Sequence, residues 1–408
     1  MLGFLKSNAR WIAGGFLLTL FSSFGQTFFI GLSGEELREK FSLTDGQFGL
    51  LYMVATLGSA LTLPWLGRTL DFMPGWKVAR FVMPALAGAC LLIAFAPSVW
   101  VLVVALFLLR LFGQGMMTHT ALTEIGRWFA ANRGRATSLT VLGHQTGEAA
   151  LPFLFTIIAL SYSWQVAWLG AAAVLLLFAM PAILTLWRVE RKPKGTEDAG
   201  ETTNTARDWT RGEVVRDPYF YIILAGVLAP PFIGTTIFFH QDWLIEFRGY
   251  NPLVFASAFP VMAGTTIVFA LVSGALIDRF GSLRLMPYFL LPLAVASFLA
   301  GTLTPSWGIY AFMMLLGVSY GFTSTLFGAL WPEIYGTKYL GTVRAIIVSA
   351  MVFSTALGPG LTGWLIDMGV PLTDQMVFMS GWCLLACVMF GVSSPRIARR
   401  NRLAGPAA

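Results

Sequence analysis

Gly67-Arg-Thr-Leu-Asp71-Phe-Met-Pro-Gly75-Trp-Lys77 closes one apolar run of the chain, and Gly274-Ala-Leu-Ile-Asp278-Arg279-Phe-Gly281-Ser-Leu-Arg284 closes another half a chain later. Each copy joins a glycine, an aspartate and basic residues at the end of a hydrophobic stretch. A phrase repeated at that interval marks an internal duplication. Working outward from both copies, the sequence divides into two sets of six apolar segments. The first set is 9–33, 45–70, 77–96, 99–123, 136–160 and 164–187; the second is 218–240, 252–277, 284–303, 307–331, 342–366 and 371–392. Each is near the length of about 20 residues that spans bilayer hydrocarbon. The expected fold is an all-α membrane protein of about twelve transmembrane helices in two six-helix bundles.

Composition agrees with a bilayer as the solvent. Of 408 residues, 56% are hydrophobic and 12% charged, against about 25% charged in soluble domains. The expected domains are a bundle over 1–188, a hydrophilic linker over 189–217 with room for a surface helix near Arg207 to Val215, and a second bundle with a short tail over 218–408. The N-terminal run is too long for a secretory signal and lacks a cleavage site, so it reads as a retained span.

Lysine and arginine set the expected orientation, because cytoplasmic loops retain positive charge. Lys6 and Arg10 precede span one; Arg68, Lys77 and Arg80 separate spans two and three; Arg127, Arg133 and Arg135 separate four and five; Arg188, Arg191, Lys192 and Lys194 follow six, and Arg396 to Arg402 follow twelve. The alternate loops are uncharged or acidic, as at Glu35-Glu-Leu-Arg-Glu39. Both termini are expected in the cytoplasm, at the inner membrane. The net charge of +7 thus sits on helix flanks and calls for no nucleic-acid partner.

Charged residues inside spans are costly and mark function. Arg110, in Arg110-Leu-Phe-Gly113-Gln114-Gly115, falls about 15 Å along span four, near the midplane. It serves either to bind an anionic group or to bond backbone carbonyls. In Gly143-His144-Gln145-Thr146-Gly147-Glu148, His144 and Glu148 lie four apart on one face of span five. We read Glu148 and His144 as proton-coupling residues sharing a polar pocket with Arg110; the alternative is a buried pair that only fixes packing. Gln26 in span one, Thr236 in span seven and Tyr320 in span ten are candidates to line the substrate site. His119 and His240 read as structural. Cys90, Cys383 and Cys387 lie within spans and frame no disulfide. Neither a nucleophile with its base nor a metal cluster is legible, so neither enzyme activity nor a cofactor is expected.

The repeated loop, the paired sets of six spans and the central linker resemble the major facilitator superfamily over essentially the whole chain. The resemblance implies alternating access, with Asp71, Lys77, Asp278, Arg279 and Arg284 as gating residues. The copy at Gly274 fits the family phrase; the copy at Gly67 departs from it, with Phe72 in place of an arginine and one extra residue before Gly75. Trp128-Phe129-Ala-Ala-Asn-Arg133-Gly134-Arg135-Ala136, Tyr320-Gly321 and Trp331-Pro332-Glu333 are similar to the monocarboxylate and oxalate:formate transporters, whose binding lysine and Asp-Arg pair are missing here. The implied function is a secondary transporter of a small organic solute, an organic anion moved with protons by a monomer in the lipid bilayer. Two alternatives remain open: an exporter of amphipathic compounds, and a non-transporting receptor or assembly factor on the same fold.

Overall fold

The computed structural model describes residues 2–129, 132–189, 191, 207–336 and 339–404. Most of the hydrophilic linker lies outside them. Among the described residues every regular element is a helix. Ten helices are long and apolar enough to cross a membrane, and a bent pair, Ser7–Gly25 with Thr27–Phe41, makes an eleventh span. Arg133–Ser161, 29 residues long, lies where the sequence predicts span five, but it is not among the helices apolar enough to cross, so the expected twelve are ten or eleven among the described residues. The chain divides into two compact units, Met1–Glu201 with Phe238–Ile245, and Thr202–Ile237 with Glu246–Ala408.

In the first unit, span one breaks at Gln26. A 3-10 turn over Ser22–Gly25 gives way to an extended Gln26 (φ −86°, ψ 153°), and the helix restarts at Thr27 with a bend of 46°. The break has a tertiary cause. A Cβ on Gly25 would lie 2.1 Å from the Leu109 carbonyl oxygen, and one on Gly113 would lie 2.6 Å from the Gly25 Cα, so two glycines let the backbones of spans one and four touch. Span four, Val99–Trp128, answers with a π-helical stretch over Leu109–Met117, a distortion common at functional sites. Span five closes on the other side of span one: a Cβ on Gly143 would meet the Phe16 carbonyl at 2.0 Å, and one on Gly147 would meet Ser23 Oγ at 2.2 Å. This small-residue packing lets membrane helices approach closely where no hydrophobic force drives them together.

The second unit uses the same device. Gly317 and Gly321 in span ten, Gly308–Tyr335, abut the Met262 and Thr266 carbonyls of span eight, Pro252–Phe280. Span seven, Pro218–Phe239, is followed by Gln241–Arg248; spans nine, eleven and twelve run over Ser282–Thr302, Leu340–Asp367 and Leu372–Ala404. Ahead of span seven, a short helix at Arg211–Arg216 is opened by a Thr210 and Glu213 capping box, with backbone and hydroxyl bonds that hold the Glu213 carboxyl below its ordinary pKa. Large apolar side chains face outward, Phe72, Leu61 and Leu271 among them, as expected where the surroundings are lipid.

Candidate transport site and gate loops

Arg110 is buried beside the broken first span. One guanidinium nitrogen donates to the Gly25 carbonyl and to Thr27 Oγ1, both at 3.3 Å, while its Nε has no partner. The carbon of the guanidinium lies 5.5 Å from the Tyr52 ring centroid, and the Tyr52 hydroxyl is 2.7 Å from Thr27 Oγ1. Gly25 closes the first half of the span, so its carbonyl presents the negative end of a helix dipole to the cation. Among the described residues, the arrangement is a buried positive charge held by dipoles, a hydroxyl and a ring.

Glu148 is also buried, and no ion pair or hydrogen bond engages its carboxylate among the described residues. Span five brings it to the same break, through Gly147 against Ser23, yet the structure does not pair it with Arg110. The polar pocket expected to join guanidinium, imidazole and acid therefore has no direct bond across it. His144 is half-buried, its ring 6.1 Å from that of Phe28. Gln26 is the residue of the break itself, its carbonyl accepting from Phe29 and Ile30. Thr236 is fully buried with an unpartnered hydroxyl, 2.8 Å from where a Cβ on Gly358 would sit. Tyr320 lays its hydroxyl against Gly234.

From Tyr52 an aromatic wall leads to a charged cluster that the sequence reading left out. Tyr52 and Phe48 pack on Phe239 with centroids at 4.6 and 4.9 Å, and His240 stands edge-on to Phe239 at 5.0 Å. Arg38 then bridges Asp242 at 2.6 Å and Asp45 at 3.4 Å, with His240 Nδ1 3.8 Å from Asp45. Burial raises the Asp242 carboxyl pKa against the opposing pull of Arg38 and His240. His240 is thus buried beside a partly buried cluster of Arg38, Asp45 and Asp242. The lone cation inside the acidic run 35–39 was the available signal.

The two repeated loops differ in detail. In the first, Asp71 pairs with Arg127 at 3.2 Å, Arg127 also donates to the Leu70 carbonyl at 2.5 Å, and Glu124 accepts from the Gly75 backbone N–H at 3.1 Å. Lys77 is exposed over the ring of Trp76. In the second, Glu333 accepts from the Ser282 N–H at 2.9 Å and from its hydroxyl. Asp278, Arg279 and Arg284 are exposed, and Arg279 lies over Phe280. Near them, Arg400 and the Tyr335 hydroxyl both donate to Asp217, at 2.7 and 3.0 Å. Arg400, expected only as part of a basic tail, therefore fixes the end of span twelve to the start of span seven.

A family model described as the Major Facilitator Superfamily matches residues 15–359 and, a second time, 249–407. Among solved structures, the chain is similar to a bacterial homolog of the human lysosomal transporter Spinster in an inward-facing, unoccupied conformation, at 16% identity and TM-score 0.74, covering 97% of this chain and 98% of that one. It is also similar to a variant of the nucleoside transporter NupG, at 10% identity and TM-score 0.72, covering 94% and 99%. No curated protein sequence matches significantly. At these identities the structural likeness carries the fold alone.

Proposed function

The chain belongs to the major facilitator superfamily, and from that premise we propose that it is a proton-coupled transporter of a small organic anion, working by alternating access as a monomer in the cytoplasmic membrane with both termini inside. The observation that supports this reading most is Arg110: among the described residues its buried charge is answered by neutral groups and its Nε is unpartnered. An isolated buried cation is costly. A carboxylate on the solute supplies the counter-charge that the protein withholds. Thr27 and Tyr52 orient that group, with Gln26, Thr236 and Tyr320 contributing to selectivity. Glu148, buried with no counter-ion among the described residues, carries the coupled proton with His144 four positions before it on span five. Asp71, Lys77, Asp278, Arg279 and Arg284 serve the cytoplasmic gate.

The test uses purified protein in proteoliposomes. Organic acids are first ranked by the thermal stabilisation they give, since a ligand that binds the folded state raises its stability with occupancy. The expected result is that Arg110→Gln abolishes this stabilisation, while Glu148→Gln keeps solute exchange but loses accumulation driven by a proton gradient, by roughly tenfold or more. Full proton-driven accumulation by Glu148→Gln overturns the coupling role. Undiminished stabilisation of Arg110→Gln by an acid overturns the anion site.

A further inference from the structure

Within the second unit, spans seven, eleven and twelve leave a crevice of about 770 Å³ between them. Its walls are apolar: Phe232 from span seven, Phe353 and Leu361 from span eleven, Phe378 and Trp382 from span twelve. Several of these are open to the surroundings, Phe378 by 77% and Phe353 by 54%, so the crevice continues the lipid-facing surface inward. From Phe353 to Leu365 it follows span eleven for about 18 Å at 1.5 Å per residue, close to the depth of one leaflet, half of about 30 Å.

At the Phe353 end the Ser354 hydroxyl donates to the Leu228 carbonyl at 3.0 Å; Thr362, Asp374 and Gln375 lie toward the other end. Gln375 donates its amide to the Thr362 and Val370 carbonyls at 3.1 and 2.9 Å. Its Oε1 is left buried with no partner, in a residue only 5% exposed that lines the crevice. Asp374, exposed, lines the same end. Between Arg344 and Arg396 the sequence holds just two charges, Asp367 and Asp374, and both flank the turn that closes this end. An unfilled acceptor beside the exposed Asp374 carboxylate calls for a cationic donor, and an apolar channel one leaflet deep calls for a hydrocarbon chain.

We propose that this crevice is a binding site for one aminophospholipid of the surrounding bilayer, its acyl chain between spans seven, eleven and twelve and its ammonium group at Asp374 and Gln375. A buried acceptor left unmade is costly, so a donor there gains more than an exposed contact would. An anionic head group meets like charge at the same place. The site is separate from Arg110 and does not depend on the transport reading.

Native mass spectrometry of the full chain, delipidated in detergent and given equal phosphatidylethanolamine and phosphatidylglycerol with matched acyl chains, tests the proposal. The expected result is a phosphatidylethanolamine adduct favoured roughly fivefold, the size of one partly exposed charged contact. Asp374→Asn, at an exposed position that leaves the fold intact, brings the two lipids toward parity. Leu361→Trp fills the channel and removes both adducts. Equal binding of the two lipids by the unaltered protein overturns the proposal, as does an undiminished preference in Asp374→Asn. Phosphatidylcholine retained as strongly as phosphatidylethanolamine overturns the hydrogen bond assigned to Gln375. Should Leu361→Trp fail to fold, Asp374→Asn decides.

Discussion

The two repeated loops share one sequence pattern, yet the copy that follows the family phrase more poorly makes the ion pair. The loop at Gly67–Lys77 has Phe72 where an arginine is expected, and its Asp71 finds a cation in Arg127. The loop at Gly274–Arg284 keeps Arg279 beside Asp278, but Asp278 has no ion pair among the described residues. What both copies share lies outside the motif: a glutamate from the end of span four or ten, Glu124 or Glu333, accepts a backbone N–H where the next helix begins, at Gly75 or Ser282. A carboxylate at a helix N-terminus satisfies an orphan donor and opposes the helix dipole. The duplication preserves that clamp more faithfully than the charge pair.

The reason for the difference is legible three residues after each glutamate. Arg127 follows Glu124 by one helical turn; Gly336 holds the same offset from Glu333. Gly336 sits at φ +81°, and a Cβ there would lie 2.3 Å from Asp208 Oδ1 and 2.8 Å from the Asp208 Cα. The second copy has therefore exchanged its cation for a glycine against which the chain ahead of span seven packs, with the Trp209 N–H donating to the Tyr335 carbonyl. Grafting the missing charge breaks the comparison most severely. Gly336→Arg is expected to cost about 3 kcal/mol or more, from left-handed backbone strain and from overpacking together, as read by unfolding in detergent. A tolerated Gly336→Arg whose guanidinium pairs with Asp278 would show that backbone conformation is not what separates the two loops.

Sequence alone carried most of the apolar helices and the duplicated loops, because hydropathy and spacing are local signals that each helix states independently. The break at Gln26 was not legible. No proline marks it, and its cause is the contact of Gly25 with Gly113, far apart in sequence. Pairing across such distances was the weak point throughout. Arg110 and Glu148 looked like partners by depth, whereas Arg110 turns to Gly25, Thr27 and Tyr52. Arg38 and Asp242 are 204 positions apart, and nothing in either segment names the other. Glu124 and Glu333 could have been found by asking which acids recur at matching offsets from the two loops.

Removing the shared clamp sharpens the comparison at the next level of effect. Glu124→Ala and Glu333→Ala are each expected to lose about 1–2 kcal/mol, the range for a helix cap or a charged hydrogen bond to backbone. Hydrogen exchange localises the loss: the Gly75 amide should lose protection in the first variant and the Ser282 amide in the second. Loss of protection in one copy only would mean that the glutamates do different work, and the clamp would no longer be the conserved element.

The smallest effects belong to the aspartates that define the motif. Asp71 and Arg127 are 63% and 43% exposed at their side chains, so screening by water limits their pair to about 0.5 kcal/mol. Asp71→Asn should cost no more than that, and the cost should vanish in 1 M salt, where the Debye length is about 3 Å. Asp278→Asn, with no ion pair to break among the described residues, should leave unfolding unchanged at either salt concentration. If both variants nonetheless slow transport, the aspartates act in a conformation other than this one, and their persistence in the sequence follows from gating rather than from stability. A salt-dependent stability loss in Asp278→Asn as large as that of Asp71→Asn would instead give the second loop a charge partner, and the asymmetry between the two halves would disappear.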